Sequence, residues 1–347
     1  MPTTTTQDAA DDVDRLLAER QIALSARIVD LNLTRFALHT NVPDFAGYRY
    51  FSRFADADTA DPDGYRLNCV DIGLNPVDKA DLDRLVDRTF RAKRMRTGFY
   101  LSHHFGTPAW IVTRDHATTI FGQEIEKIVW TYYVKHLLTA FAADRGVLHL
   151  KGAGVVSPGG EATLLFGRGS GGKTVFLTQA CLADAWFLTN THVIIDRNDA
   201  FGVPSVLRVR DDACFGAVIR ARKLEQHLQS GEYLLDPSNV FEGSVDRAPI
   251  RNLCIIDFHP DRKHGIHRME PKRFYQFLDQ FAFPPSTYGL KDDLLAHYKG
   301  DIDMYLDAYG MMKAAMRDMV ESARLFHVNI DMLDPRQRDR TLEALFT

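Results

Sequence analysis

Apolar positions change their spacing several times along the chain, and each change marks a different kind of element. Over residues 12–28 the apolar positions Val13, Leu16, Leu17, Ile22 and Leu24 predict a short amphipathic helix. Strand-like stretches follow at 35–39, 48–51, 66–72, 97–101 and 109–113, separated by turn-rich pieces such as DADTADPDG, so residues 27–122 read as a β-rich lobe. Between 123 and 143 the spacing becomes helical, with Ile125, Ile128, Val129, Tyr132, Leu137, Leu138 and Phe141 on one broad face and Gly146 placed to stop the helix.

The next segment alternates element types. A strand is expected at 148–156, a tight PGG turn at 158–160, a second strand at 162–166, a Gly-rich turn, a helix at 174–182 and a strand at 187–196. Strand, loop, helix, strand is the order of an α/β nucleotide-binding unit. Further strands are expected at 205–210 and 252–258, with a helix at 221–229 between them. From Pro271 onward helices dominate, at 273–281, 292–298 and 302–325, with one more near the end. Met304, Tyr305, Met311, Met312, Met316 and Met319 at helical spacing read as core filler, not a cofactor box. Four parts result: a flexible N-terminus with a short helix (1–26), the β-rich lobe (27–122), a nucleotide-binding core (123–270) and a helical C-terminal region (271–347).

Composition narrows the functional classes. Hydrophobic content of 45% in 347 residues is enough for a sizeable interior. A net charge of −4 argues against nucleic acid as the main partner. Cys69, Cys181, Cys214 and Cys254 are far apart and form no C-x-x-C pair, so neither a zinc site nor a disulfide framework is expected. A reducing, cytoplasmic compartment follows as the expectation. The MPTTTTQDAADDVD start lacks the pattern of a signal peptide and is expected to be disordered over its first dozen residues. No run of about 18 apolar residues occurs, so no membrane partner is expected.

The chemistry lies in LLFGRGSGGKT, which contains G-x-x-x-x-G-K-T as Gly167, Gly172, Lys173 and Thr174, with Arg168, Gly169, Ser170 and Gly171 inside the loop and Val175 after it. Glycines let successive backbone N–H groups point inward around phosphate oxygens, and the helix that follows adds the positive end of its dipole. Lys173 supplies a cation for the β and γ oxygens, and the Thr174 hydroxyl suits Mg²⁺. The cofactors expected are therefore ATP and Mg²⁺.

The stretch LHLKGAGVVSPGGEATLLFGRGSGGKTVFLTQACLADAWFLTNTHVII resembles the core of the HPr kinase/phosphorylase family, in which a His opens a strand, a hairpin follows and the P-loop comes next. Here the His is His149 and the hairpin turn is PGG. The resemblance covers roughly residues 123–270. It implies a phosphoenolpyruvate carboxykinase-like P-loop core, α/β within an α+β chain, and transfer of a γ-phosphoryl group to a hydroxyl of a small molecule or of a peptide or protein Ser. Family members often assemble, which implies a homo-oligomer.

One departure matters. The family carries Asp-Asp or Asn-Asp where the strand after the P-loop helix ends, and the alignment of FLTNTHVII puts Asn190 and Thr191 there, followed by His192. Asn190 can ligate a metal, but neither residue can serve as a base near neutral pH. Three readings stay open: His192 is the base, Asp196 supplies the carboxylate, or catalysis is weak or absent. Residues 190, 192, 194 and 196 share a strand face, so Asn190, His192 and Asp196 line a single surface, a pattern that equally describes a solvated edge. Asp196 also reads as the start of a turn.

Other candidates carry two readings each. Lys151 shares a strand face with His149 and meets phosphate or solvent. Arg208 and Arg210 alternate in LRVRDD and either clamp an anion or pair with Asp211 and Asp212. HPDRKHGIHR (259–268) reads as a basic hairpin turn more than a metal site, and His103-His104 as surface loop. Three functions compete: a kinase, a non-catalytic nucleotide sensor or scaffold, and a P-loop ATPase or GTPase. The last is set aside because no Walker B strand ending in a clear Asp and no N-K-x-D is evident.

Overall fold

Helix α1 (Thr6–Glu19) supplies Val13, Leu16 and Leu17 to an apolar cluster with Val70, Leu82, Val112 and Phe121. The helix ends earlier than expected. Gln21 takes a positive φ of 53° and the chain enters strand β1 (Ser25–Asp30), which pairs antiparallel with β2 (Arg35–Thr40). This is a computed structural model that describes residues 6–56, 64–85, 109–169, 171–227, 231–258 and 263–347. The expected strand at 97–101 and the His103-His104 pair lie outside them. The chain divides into two units, Met1–Leu137 and Leu138–Thr347, with the boundary inside one helix.

The first unit is a six-stranded mixed sheet in the order β3-β1-β2-β4-β6-β5, with β3 (Phe54–Ala55), β4 (Arg66–Asp71), β5 (Ala109–Arg114) and β6 (Ala117–Gly122). Its parallel pairs are β2–β4 and β4–β6. Helix α2 (Lys79–Leu85) joins the cluster under α1. Residues 48–51 are not a strand but part of a 3-10 turn, Ala46–Tyr50. Aromatic packing holds that turn: the Tyr50 ring stacks on Trp130 at 6.5 Å between centroids, and the Tyr48 hydroxyl donates to the Leu38 carbonyl at 3.1 Å. The helical pattern at 123–143 becomes one α-turn (Glu126–Ile128), a π-turn (Val129–Tyr133) and α3 (Val134–Arg145), stopped by Gly146 at φ 65°.

The second unit surrounds one long strand. In chain order it holds β7 (Leu148–Lys151), β8 (Ala153–Val156), β9 (Ala162–Phe166), α4 (Lys173–Cys181), β10 (Trp186–Thr189), β11 (His192–Asp196), β12 (Asp199–Gly202), β13 (Leu207–Val209), α5 (Gly216–Arg222) and β14 (Tyr233–Leu235). Then come β15 (Arg247–Phe258), β16 (Gly265–Arg268), α6 (Pro271–Phe281), α7 (Pro284–Thr287), α8 (Lys291–His297), α9 (Ile302–Ser322), β17 (Arg324–Ile330) and α10 (Pro335–Phe346). The sheet order is β10-β8-β9-β15-β12-β11-β7, and β17 pairs with both β15 and β16. Strand β15 runs parallel to β9 and to β17, with Ile255 opposite Phe166 on one side and His327 on the other.

Several expectations change. The strand expected at 148–156 breaks at Gly152 into β7 and β8, which pair with different partners. The one expected at 187–196 breaks at Asn190-Thr191, where Thr191 takes φ 79°. The helix expected at 221–229 lies instead at Gly216–Arg222 and ends on Lys223, whose φ is 49°. The C-terminal region is not wholly helical, because β17 leaves α9 and inserts beside β15. Asp301 starts α9 by accepting from the Asp303 and Met304 amides, and Asp334 with Pro335 starts α10 in the same way. On α9, Met312, Met316 and Met319 are core, whereas Met304 and Met311 face outward. Among the described residues no helix is long and apolar enough to cross a membrane.

Candidate functional site

The Gly-rich turn leaves β9 at Phe166 and enters α4 at Lys173. Its backbone needs glycine at two places. A Cβ on Gly167 would lie 2.7 Å from the Ile256 carbonyl oxygen, and Gly172 takes φ 84° with Met332 and Phe258 packed against it. Gly172 precedes α4 with no side-chain cap, so the first amides of the helix are left for another acceptor. Lys173 folds back over the loop and donates to the carbonyls of Gly167 at 2.9 Å and Arg168 at 3.0 Å. Burial, and then the charge of Lys151, lower the Lys173 pKa to about 8, with Asp257 pulling the other way. Arg168 lies over the Phe281 ring at 5.0 Å, Gly169 is open, the Gly171 amide donates to the Arg168 carbonyl at 3.2 Å, and Val175 packs on the core under α4. Ser170 lies outside the described residues.

Thr174 and Asn190 come together. The Thr174 hydroxyl donates to Asn190 Oδ1 at 3.3 Å, and the Ser205 hydroxyl donates to the Asn190 carbonyl. A hydroxyl and an amide oxygen side by side are hard donors that fit Mg²⁺, which keeps most of its waters and takes the rest of its shell from phosphate. Among the described residues no group of three or more His, Cys, Asp or Glu could hold a metal alone.

His149 and His192 meet in the interior and not on a solvated face. Both rings are fully buried, on paired strands β7 and β11, with His149 Nε2 3.0 Å from His192 Nδ1 and His149 Nδ1 3.1 Å from the Thr139 hydroxyl. Strand β11 is unbroken from His192 to Asp196, so those two share a strand face, which is buried at His192 and Ile194 and open only at the tip; the break at Asn190-Thr191 separates Asn190 from it. Asp196 ends β11 opposite Asp199, exposed at the tip of the β11–β12 hairpin. At about 3.3 Å per residue it stands about 13 Å along the strand from His192. Arg208 and Arg210 both point to Glu232, at 3.8 and 3.7 Å, and not to Asp211 or Asp212. Of the 259–268 cluster, His264 bonds the Thr341 hydroxyl and Gly265–Arg268 forms β16; residues 259–262 lie outside the described set.

The residue that sequence reasoning missed is Asp257. The P-loop rests on the end of β15: Gly167 and Gly171 abut the Ile256 carbonyl and Gly172 abuts Phe258. Asp257 lies between those two residues, and its Oδ2 is 2.8 Å from His327 Nε2 on the neighbouring strand. A signal was present. Leu253-Cys254-Ile255-Ile256-Asp257 is an apolar strand ending in an acid, and β15 runs parallel and adjacent to the P-loop strand. A strand ending in an acid beside the P-loop strand is therefore present, contrary to expectation, whereas N-K-x-D is absent from the sequence.

No protein-family model matches the chain, and no curated protein matches it.

Proposed function

We propose that this chain is an ATP-dependent kinase of the HPr kinase-like type, transferring the γ-phosphoryl group to a hydroxyl of a small molecule or of a peptide or protein Ser. The observation that carries the reading is the P-loop seated on the end of β15, with Lys173 inside the loop and Asp257 beneath it. Loop amides and Lys173 bind the polyphosphate tail. Thr174 and Asn190 are the oxygens that would hold Mg²⁺, which when bound neutralises charge on the phosphates. Asp257 lies between Ile256 and Phe258, on which the loop rests, and it offers the carboxylate that Asn190 and Thr191 lack. In the transfer, the acceptor oxygen forms its bond to Pγ as the Pγ–O bond to ADP breaks, and Asp257 takes the acceptor's proton. His149 and His192, sealed in the interior, act as a brace under the Asn190-Thr191 break.

Calorimetry with ATP and GTP, with and without Mg²⁺, on the wild type and Lys173→Ala tests the binding step. Mg²⁺-dependent binding that the substitution removes supports it, and no binding by the wild type overturns it. An acceptor screen then tests transfer. Asp257 equally suits activation of water, so an ATPase is the second reading; turnover that is identical with and without every acceptor would favour it. Binding without any turnover would leave the sensor reading, which Asn190-Thr191 motivates.

A further inference from the structure

Lys151 ends β7 at the meeting point of three segments that build the P-loop site. Its amide donates to the Ala282 carbonyl at 2.8 Å, next to Phe281, on whose ring Arg168 of the loop lies. The following residue, Gly152, donates to the Thr191 carbonyl at 3.1 Å, beside Asn190 and hence beside Thr174. A Cβ on Gly152 would lie 2.9 Å from the Phe166 ring, at the last residue before the loop begins. Opposite Lys151 across the β7–β11 pair is His192.

The side chain is half-buried, and its ammonium lies 5.7 Å from the Tyr288 ring centroid. Among the described residues no carboxylate forms an ion pair with it. A face-on aromatic contact stabilises an ammonium by about 0.5–2 kcal/mol, which does not replace the water or counter-charge that a half-buried cation loses. Burial lowers its pKa, and its charge is among the causes that lower that of Lys173, so the two ammonium groups sense each other. Two like charges at a glycine loop, Lys151 without an ion pair among the described residues and Lys173 held on the loop carbonyls with Asp257 as its counter-charge, describe a receptacle for a multiply charged anion.

We propose that Lys151 is a second phosphate-binding cation of the P-loop site, contacting the terminal phosphate of a nucleoside triphosphate together with Lys173. The inference rests on the nucleotide-binding reading and adds to it a residue and a selectivity. Lys151 makes the site favour a triphosphate over a monophosphate, and leaves a base or sugar contact unaffected.

The test measures affinities of ATP, ADP, AMP and inorganic pyrophosphate for the wild type, Lys151→Met and Lys151→Arg by calorimetry, with circular dichroism to check folding. The expected result is a loss of about tenfold or more in ATP affinity for Lys151→Met, consistent with removal of one charge-assisted contact. The loss should shrink along the series to AMP, and Lys151→Arg should recover most of it. Wild-type binding with the same ATP-to-AMP ratio in Lys151→Met would overturn the inference while leaving the P-loop reading intact. Absence of binding by the wild type would instead remove the P-loop reading and this one with it. If Lys151→Met fails to fold, Lys151→Gln and Lys151→Arg carry the same comparison, and equal ATP-to-AMP ratios in those two would overturn the proposal.

Discussion

The P-loop strand β9 has β8 on one side and β15 on the other, and two regions of this sheet differ in chemistry. At the β7–β11 pair, which lies beyond β15 and β12 in the sheet order and runs into β8 through Gly152, stand Lys151 and the sealed His149–His192 pair, a cationic and buried region without a carboxylate in the pair. On the β15 side stand Asp257 and His327, half-exposed and acidic. Lys173 feels both: burial and then Lys151 lower its pKa, and Asp257 raises it. A phosphoryl-transfer site needs positive charge where the phosphates rest and a proton acceptor where the hydroxyl arrives. On the proposed kinase reading, the positive charge and the proton acceptor would fall in different regions of the site.

The largest effect should come from the acidic flank. Asp257→Asn is expected to lower turnover by about 100-fold or more while ATP affinity stays within about threefold, since the amide keeps the shape and loses the base. Steady-state kinetics alongside calorimetry checks this, and unchanged turnover would break the division of roles. Next, the buried pair should matter for folding. His149→Ala leaves a buried ring nitrogen of His192 without its hydrogen bond and should cost about 1–3 kcal/mol in urea unfolding. His327→Ala, at a half-exposed pair, should cost about 1 kcal/mol or less. Equal costs would erase the contrast between the two regions.

Acidity sharpens it further. The free Lys173 ammonium gives up its proton near about pH 8, whereas a bound polyphosphate holds it, so ATP affinity should be level below about pH 7 and fall as pH rises through about 8. The slope is at most about tenfold per pH unit. A profile level to about pH 9.5 would show that Lys173 does not carry its charge to the phosphates. The smallest effect is expected at Asp196→Asn, where both turnover and stability should stay within about twofold and about 0.5 kcal/mol, because the hairpin tip is exposed.

How much of this the residues announce depends on the kind of signal. The P-loop, its strand and its helix follow from Gly167, Gly172, Lys173 and the apolar run before them. The break at Asn190-Thr191 does not, because a β-branched Thr is a poor advertisement for a positive φ. The parity from His192 to Asp196 holds, but the solvated-edge reading does not, because the His192 end of β11 pairs with β7 and is buried. Asp257 was legible in LCIID but was masked by the basic HPDRKH that follows. The C-terminal strand carried a signal, since Phe326, Val328 and Ile330 alternate, but it follows α9 with no Gly or Pro to mark a boundary, and pairing with β15 and β16 extends it. Residues 48–51 show the opposite error: aromatic alternation suggested a strand where ring packing on Trp130 closes a 3-10 turn.

The insertion of β17 beside β15 has a consequence for how the molecule acquires its shape. The two strands are parallel neighbours separated in sequence by the whole run from α6 to α9. A non-local parallel pairing of this kind closes late, since loop-closure entropy is lost before the pairing returns it. At roughly 5–20 residues per second of synthesis, the ribosome delivers β17 several seconds after β15. Until then one edge of β15 stays open and Asp257 lacks its histidine. The seat of the glycine loop on β15 is thus among the last parts of the chain to mature, although the loop itself is made near the middle.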